Sequence, residues 1–213
     1  MKVLISDIAP AYRIENAWRE HLVPTLRLKG FKGSGRQFRR IVNQFAECVS
    51  LQGSHHGGSF AINLGLQPLS IPDVMGNVVD PRKIDEVSCE FRRRLSKNTS
   101  DQWWSYTQLR SSKITAVQNS AEIFEQFGLM YFSEMTGENS PLLCVDPISF
   151  DSGLFDFRGF NSTKVRMARS LSLLRFASGD TQASRDFARV ALKAIGAGVG
   201  LRVELTALAG LNN

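Results

Sequence analysis

Alternating apolar and polar side chains predict a run of β-strands between residues 30 and 66. The clearest alternation covers residues 60–66, where every second side chain is large and apolar. Because successive side chains of a strand point to opposite faces, this segment places four apolar side chains on one face, which another layer must cover. A second alternation, over residues 45–52, has Glu47 interrupting its apolar side.

The connections between these segments have the composition of tight turns. Residues 53–59, GSHHGGS, contain three glycines, which admit positive φ, and two neighbouring histidines. Residues 43–44 lead back to an upstream segment, 36–42, in which Phe38 and Arg40 share a face. Short turns join antiparallel strands, so the three segments predict an antiparallel meander.

Two segments show the apolar spacing of an amphipathic helix. Residues 11–29 carry one stripe with Trp18 as its largest member. We expect Pro24 to kink this helix or to split off a last short turn, and Gly30 to end it. Residues 112–135 have the better pattern. Both helices are expected to cover the apolar sheet face in a two-layer arrangement. The stripe of the second helix consists of Val117, Ala121, Phe124, Gly128, Tyr131 and Met135.

The segments after the meander are less regular. Residues 68–83 contain three prolines, which indicates a loop that is either disordered or involved in binding. Residues 88–95 alternate as a strand, with Arg93 on the apolar side, where it either extends along an edge into solvent or faces an acidic partner. Residues 141–150, interrupted by Pro147, predict a short strand or an extended strap.

The last third of the chain has helical character. Residues 163–177 and 181–195 predict two helices separated by a capping turn at 178–180. A single helical pair cannot bury its own apolar face, so we expect it to dock on the sheet or to form a homodimer. Residues 151–163 contain three phenylalanines and are expected to dock through them. The glycines at 196, 198 and 200 indicate a helix stop and a flexible link.

Together these elements predict an α+β fold. It consists of an antiparallel meander of about four to five strands, covered on one face by helices, and a C-terminal helical hairpin. The expected division is an α+β sheet domain over residues 1–150, followed by an aromatic strap and the helical hairpin docked on it over residues 151–213.

Three motifs in the first half of the chain resemble those of one family. They are LKGFKG at residues 28–33, GRQFRR at residues 35–40 and FAINLG at residues 60–65. This pattern is similar to the bacterial domain-of-unknown-function family numbered 4304, and a later arginine-rich strand and paired tryptophans also fit, over about residues 14–135. The resemblance implies a fold type. The family brings no established reaction that can be transferred to this chain.

The composition is that of an ordinary globular protein. Hydrophobic residues make up 43% and charged residues 22% of the 213 residues, which suits a domain with a substantial core. No apolar run approaches the roughly 18 to 20 residues needed to cross a membrane. Residues 1–10 are too short for a secretory signal and include Asp7. We therefore expect a cytoplasmic protein without a membrane partner.

Residues typical of catalytic and metal sites are sparse. Cys48, Cys89 and Cys144 are widely spaced, whereas zinc sites and disulfide frameworks use close pairs, so we expect reduced and mostly buried thiols. His55 and His56 lie in a turn that offers no further ligands, which favours a solvated hairpin. The sequence contains no nucleophile elbow, H-E-x-x-H motif or phosphate loop. We expect no metal, no cofactor and no catalytic residues.

Positive charge is the distinctive feature. The formal net charge is +6, residues 27–42 contain six basic and no acidic side chains, and residues 92–94 are three consecutive arginines. The tryptophan pair at residues 103–104 either caps the sheet or forms a stacking platform beside these arginines. The candidate binding residues are Arg36, Arg39, Arg40, Arg92, Arg94, Trp103 and Trp104.

Two classes of function fit this pattern. The first is a non-catalytic module that recognises an acidic protein partner through a basic sheet face, as an immunity protein does. The alternative is nucleic-acid binding by the arginines, with a tryptophan stacking on a base. A small-molecule enzyme is a weaker third hypothesis.

Overall fold

A six-stranded antiparallel sheet forms the centre of the protein. The computed structural model describes residues 12–98, 101–154, 160, 162–196 and 199–211. Strands β1 to β5 are neighbours in chain order, as expected for a meander, and the short β6 pairs with β4. The strands are β1 (Lys32–Ser34), β2 (Gln37–Val42), β3 (Phe45–Gly53), β4 (Ser59–Pro68), β5 (Phe91–Arg94) and β6 (Trp104–Ser105).

Tight turns set the register of the meander. Two-residue turns at 35–36 and 43–44 join β2 to β1 and to β3. The first residue of each turn has positive φ, 61° at Gly35 and 52° at Asn43, which is the conformation that such hairpins require. The predicted turn with His55 and His56 connects β3 to β4, and both histidines are exposed.

Two long helices cover one face of the sheet, as predicted. Ile62 and Leu64 are buried on this face, and the rings of Trp18 and Phe38 pack with their centroids 6.3 Å apart. In the stripe of the second helix every side chain is buried except the half-buried Met135. Helix α1 comprises Ile14–Ala17, a π-turn at Trp18–Leu22 and Val23–Leu28, and helix α2 comprises Arg110–Ile123, a π-turn at Phe124–Gly128 and Leu129–Thr136.

The π-turn of α1 accommodates Pro24. The wide turn ends at Leu22, and Pro24 lies in the first turn of the helical segment that follows. A proline costs little at this position because its missing N–H would have no partner in a regular helix start. The expected kink therefore takes the form of a widened turn, and residue 11 of the predicted helix lies outside the described residues.

The opposite face of the sheet is packed under residues 69–90, which we call the 69–90 cover. Ala46 and Cys48 of β3 form a second small core with Ile84 and Cys89 of this segment. The buried amide of Gln67 donates hydrogen bonds to backbone carbonyls at the start of the cover, among them that of Ile71 at 3.1 Å. The proline-rich region thus follows a defined path, and the alternative of disorder is wrong for it.

Five further helices complete the described chain. The predicted helical pair is confirmed, but residues 141–150 form two helical turns instead of a strand or strap. Ser140 and Asp146 cap these turns by accepting backbone N–H groups, and each is followed by a proline. Gly200 lies inside a last helix and not in a flexible link. The helices are α3 (Pro141–Cys144), α4 (Pro147–Asp151), α5 (Lys164–Ala177), α6 (Thr181–Ala194) and α7 (Val199–Leu208).

Aromatic contact joins the C-terminal part to the sheet. The ring of Phe160 lies 5.7 Å from that of Phe91 in β5 and 6.1 Å from that of Tyr131 in α2. This contact agrees with the predicted docking through phenylalanines. Phe155 and Phe157, the other two, lie outside the described residues.

Three buried glutamates are each paired with arginine. Isolated carboxylates are costly to bury, and an arginine that supplies charge and N–H donors offsets that cost. Burial raises the pKa of Glu47 above its ordinary value, although Arg40 opposes the shift. The shortest nitrogen–oxygen distances are 2.6 Å for Glu47–Arg40, 2.7 Å for Glu86–Arg92 and 3.4 Å for Glu90–Arg169.

The first prediction concerns Gly65, which lies beneath the 69–90 cover. A Cβ atom on Gly65 would lie 2.8 Å from the Sγ of Cys89 and 3.0 Å from the Cα of Glu86. We expect Gly65→Ala to lower the free energy of unfolding by about 1–3 kcal/mol because the cover must shift. Gly53→Ala is the matched strand control, since its nearest neighbour would be Arg36 Nη1 at 3.9 Å. Equal urea midpoints for the two variants would contradict this packing.

The second prediction concerns the pair of Glu47 and Arg40. Arg40→Met leaves a buried carboxylate without its counter-charge, and we expect the free energy of unfolding at pH 7 to fall by about 3 kcal/mol. The pKa of Glu47 should then rise further above its unfolded value. Between the unfolded pKa and the raised folded pKa, Glu47 is protonated in the folded state and ionised in the unfolded state. Protonation of Glu47 therefore contributes to stability at low pH, and this contribution disappears as pH rises through the folded pKa.

Urea denaturation at pH 5 and pH 7 tests this sign. The deficit of Arg40→Met relative to the unmodified protein should be smaller at pH 5. The double variant Arg40→Met with Glu47→Gln buries no charge and should recover stability at pH 7. A deficit that does not change with pH, and that the double variant does not reduce, would show that Arg40 acts only through packing.

Candidate functional site

The predicted binding residues do not form one continuous surface. The alternation of β2 puts Arg39 and Arg40 on opposite faces of the sheet. Arg39 is the ladder partner of Cys48, on the face of the 69–90 cover, whereas Arg40 is the partner of Glu47, on the helix face. A single basic sheet face that includes both arginines is therefore not present.

Two of the predicted arginines are engaged in contacts within the protein. Arg36, in the turn after β1, pairs with Glu15 of α1. Arg40 Nε lies 2.6 Å from Glu47 Oε2, and its Nη1 donates to the carbonyl of Lys29 at 2.7 Å. The Arg40 guanidinium also lies over the Phe31 ring, 4.6 Å from its centroid. Only part of the Arg40 guanidinium remains for an external ligand.

Arg92 and Arg94 do come together, in a hollow beside β5 that we call the arginine hollow, whereas Trp103 contacts Arg94 but does not line the hollow. Arg92 pairs with Glu86, and Arg94 Nη1 lies 2.7 Å from Asp101 Oδ2. The Arg94 guanidinium also stacks on Trp103, 4.6 Å from the centroid of the Trp103 ring. The hollow, of about 380 Å³, is lined by Gln52, Asn63, Glu86, Arg92, Arg93, Arg94, Asp101 and Phe160. Its positive charge is thus largely neutralised within the protein.

The two tryptophans have different surroundings. Trp104 is buried in β6 and stacks on Phe60, with ring centroids 5.6 Å apart and an interplanar angle of 20°. It closes the sheet at this end, so it is not available as a stacking platform. Trp103 is 39% exposed, and Arg94 occupies one of its ring faces. Arg93 is half-buried, its guanidinium stacks 4.9 Å from the centroid of Tyr131, and no carboxylate of the described residues pairs with it.

A second concave region lies at the outer edge of β2, and we call it the basic cleft. It has a volume of about 580 Å³ and is bounded by the end of α1, the start of β1, the end of β2 and residues 81–82 of the 69–90 cover. None of its described lining residues is acidic. Its cationic residues are Lys29, Lys32, Arg39, Arg40 and Arg82.

Apart from Arg40, which pairs with Glu47, the cations of the basic cleft are poorly compensated. Lys32 and Arg39 are directly opposite each other in the β1–β2 ladder, and like charges at such positions repel. Arg39 Nη1 donates to the carbonyl of Arg82, but its Nε is buried and has no hydrogen-bond partner among the described residues. A buried donor without an acceptor costs about 1–3 kcal/mol. An anionic ligand in the cleft would relieve the repulsion between Lys32 and Arg39.

One carboxylate lies close to the rim of the basic cleft. Asp80 Oδ1 is 3.9 Å from Arg82 Nε, and its Oδ2 is 3.6 Å from Lys83 Nζ. The backbone N–H of Arg82 and the two neighbouring cations hold the pKa of Asp80 below its ordinary value. All three side chains are exposed, so this contact is weak and leaves most of the positive potential of the cleft in place.

Some residues of this cleft were predicted from the sequence. Arg39 and Arg40 were predicted as binding residues, and Lys29 and Lys32 belong to the basic run that drew attention to them. Arg82 was missed. The sequence offers one signal for it, the consecutive cations of PRK at residues 81–83 within a loop for which a binding role was one alternative. The contact of that loop with β2 depends on tertiary structure.

The described residues offer little for other chemistry. They contain no group of three histidine, cysteine, aspartate or glutamate side chains that could hold a metal ion. Cys48 and Cys89 are buried free thiols and Cys144 is an exposed one. No helix in the described ranges is long and apolar enough to span a bilayer.

Comparison with known proteins identifies the family. The family model with the description "Domain of unknown function (DUF4304)" matches residues 22–134, which is more than half of the 213 residues. The match includes β1 to β6 and every lining residue of the basic cleft. Comparison with curated proteins and with solved structures gives no match. The chain therefore belongs to the DUF4304 family.

Proposed function

We propose that this protein is a non-catalytic recognition module that binds an acidic protein partner through the basic cleft. One observation carries the proposal. The cleft gathers five cationic side chains and no acidic one among its described lining residues, whereas the arginine hollow contains Glu86 and Asp101 as internal counter-charges. Of the two basic regions, the cleft therefore has more cationic side chains without a carboxylate beside them.

The chemistry of the cleft favours binding over catalysis. Its described lining provides ammonium, guanidinium, aliphatic and backbone groups, but no carboxylate, imidazole, thiol or hydroxyl side chain. General acid–base and nucleophilic catalysis depend mainly on the latter groups. Guanidinium groups, in contrast, recognise carboxylates through paired hydrogen bonds. Carboxylates of a partner would neutralise the opposed charges of Lys32 and Arg39.

Nucleic-acid binding is a second candidate, favoured by the partly exposed Trp103 beside Arg94. A single-stranded nucleic acid that contacted both Trp103 and the basic cleft would have to cross the 69–90 cover. The ladder places Arg39 and Arg92 on one row, with Cys48 and Gly65 between them, which at the usual strand spacing is roughly 14 Å. Glu86 and Cys89 lie above Gly65 on that path, so the two basic regions are separated by protein.

The third prediction tests the basic cleft with a defined anion. A fluorescein-labelled octaglutamate peptide should bind at about 50 mM salt, and Arg39→Glu with Arg82→Glu should weaken its affinity roughly tenfold or more. Arg189→Glu with Arg202→Glu changes the net charge equally on the exposed surface of α6 and α7 and should have less than a twofold effect. Fluorescence anisotropy measures both, and circular dichroism checks that the variants fold.

Two outcomes would contradict the proposal. Equal losses in the two double variants would show that the peptide senses only net charge and not the cleft. Tighter binding of a single-stranded oligonucleotide with eight phosphates than of the octaglutamate, with a log–log salt slope near −0.7 per phosphate contacted, would favour nucleic acid instead.

A further inference from the structure

We propose that the acidic partner contributes an extended segment that adds as a strand to the free edge of β2, with Ile41 as its backbone anchor. This inference rests on the proposed function and specifies how the basic cleft would engage its ligand. Extended segments commonly bind to sheet edges in this way, with backbone hydrogen bonds supplying affinity and alternate side chains supplying specificity.

The edge of β2 is open where it borders the basic cleft. The last ladder pair between β1 and β2 joins Lys32 to Arg39, whereas β2 continues to Val42. On the outer side of residues 40–42, no other described strand takes the place of β1. None of the backbone hydrogen bonds outside the ladder involves these residues within the described chain.

The two hairpins fix which backbone groups face outward. Two-residue turns are closed by a pair that exchanges both hydrogen bonds, and the closing pairs are Ser34 with Gln37 and Val42 with Phe45. The bonding direction alternates along a strand, so every second residue of β2 from Gln37 turns its N–H and C=O toward β1. Ile41 is such a residue, and at its position β1 is absent. Its N–H and C=O therefore point away from β3 at the basic cleft, without a backbone partner in the described chain.

The side chains around this edge define the chemistry of the partner segment. Ile41 is 45% exposed and lies on the same face as Arg39, next to which Arg82 is held. Arg40 lies on the other face, beside Lys29. A strand paired with Ile41 would thus meet cations on both of its faces and one apolar side chain at its centre. A β-branched residue flanked by glutamates matches this arrangement.

Charge also argues against a second copy of this chain as the occupant. Proteins commonly place lysine and arginine along sheet edges, where they discourage association between edges of like charge. Pairing two β2 edges would bring Arg39, Arg40 and Lys32 of one copy toward the same residues of the other. An acidic segment converts that repulsion into attraction, so the edge selects an acidic partner over self-association.

The fourth prediction uses the peptide acetyl-Glu-Glu-Val-Glu-Glu-amide, which presents this pattern in either strand direction. In an NMR titration of the ¹⁵N-labelled protein it should shift the Ile41 amide and protect it from hydrogen exchange. The same peptide with an N-methylated valine keeps every charge but lacks the central N–H donor. It should bind at least tenfold more weakly.

A variant of the protein makes the complementary test. Ile41→Pro removes the outward N–H without removing a ladder hydrogen bond, a position at which edge strands tolerate proline, and should also weaken binding at least tenfold. Ile41→Val keeps the N–H and should weaken binding much less than Ile41→Pro. If Ile41→Pro does not fold, the N-methylated peptide decides the question with the unmodified protein.

The outcomes separate this inference from the proposed function. Equal affinity for the two peptides, combined with a loss of affinity in Arg39→Glu with Arg82→Glu, would overturn strand addition and leave binding of acidic segments by the cleft intact. No binding of either peptide or of octaglutamate would overturn both.

Discussion

Pairing of buried glutamates with arginines is the constraint on which the arrangement of layers depends. Glu47 of β3 pairs with Arg40 of the neighbouring strand β2. It also accepts a hydrogen bond from the hydroxyl of Thr136 at the end of α2. Glu86 belongs to the 69–90 cover and is paired with Arg92 of β5. Breaking such a pair on one side typically costs about 3–5 kcal/mol. Each layer is therefore held in the position in which its buried glutamate lies beside an arginine.

The same constraint governs which basic groups are left for a ligand. Arg92 and Arg94 look free in the sequence, but the fold assigns carboxylates to both. Glu90 similarly engages Arg166 and Arg169 of α5 and so attaches the C-terminal helices to the sheet. Internal pairing neutralises basic side chains where acidic residues lie near them. The formal charge of +6 is therefore not spread evenly over the protein. At the edge of β2, Lys29, Lys32 and Arg39 have no ion pair with a carboxylate of the described residues.

Much of the fold was predictable because burial imposes a period on the sequence. The strand at residues 60–66 and the helix at 112–135 repeat at 2.0 and about 3.6 residues, and both predictions are confirmed. Residues 141–150 were misjudged because their apolar content has no clear period, while the deciding contacts are local caps by Ser140 and Asp146. The pairing of Arg39 with the loop at Arg82 spans 43 positions, a contact for which the sequence offers no periodic signal.

The path of the 69–90 cover has a mechanical consequence. Arg82 forms a wall of the basic cleft and Glu86 forms a wall of the arginine hollow, and only three residues separate them along the chain. Ile84, between the two, is anchored in the small core with Cys48. The backbone between Arg82 and Glu86 is therefore held at Ile84, and the walls of the basic cleft and of the arginine hollow are fixed relative to each other.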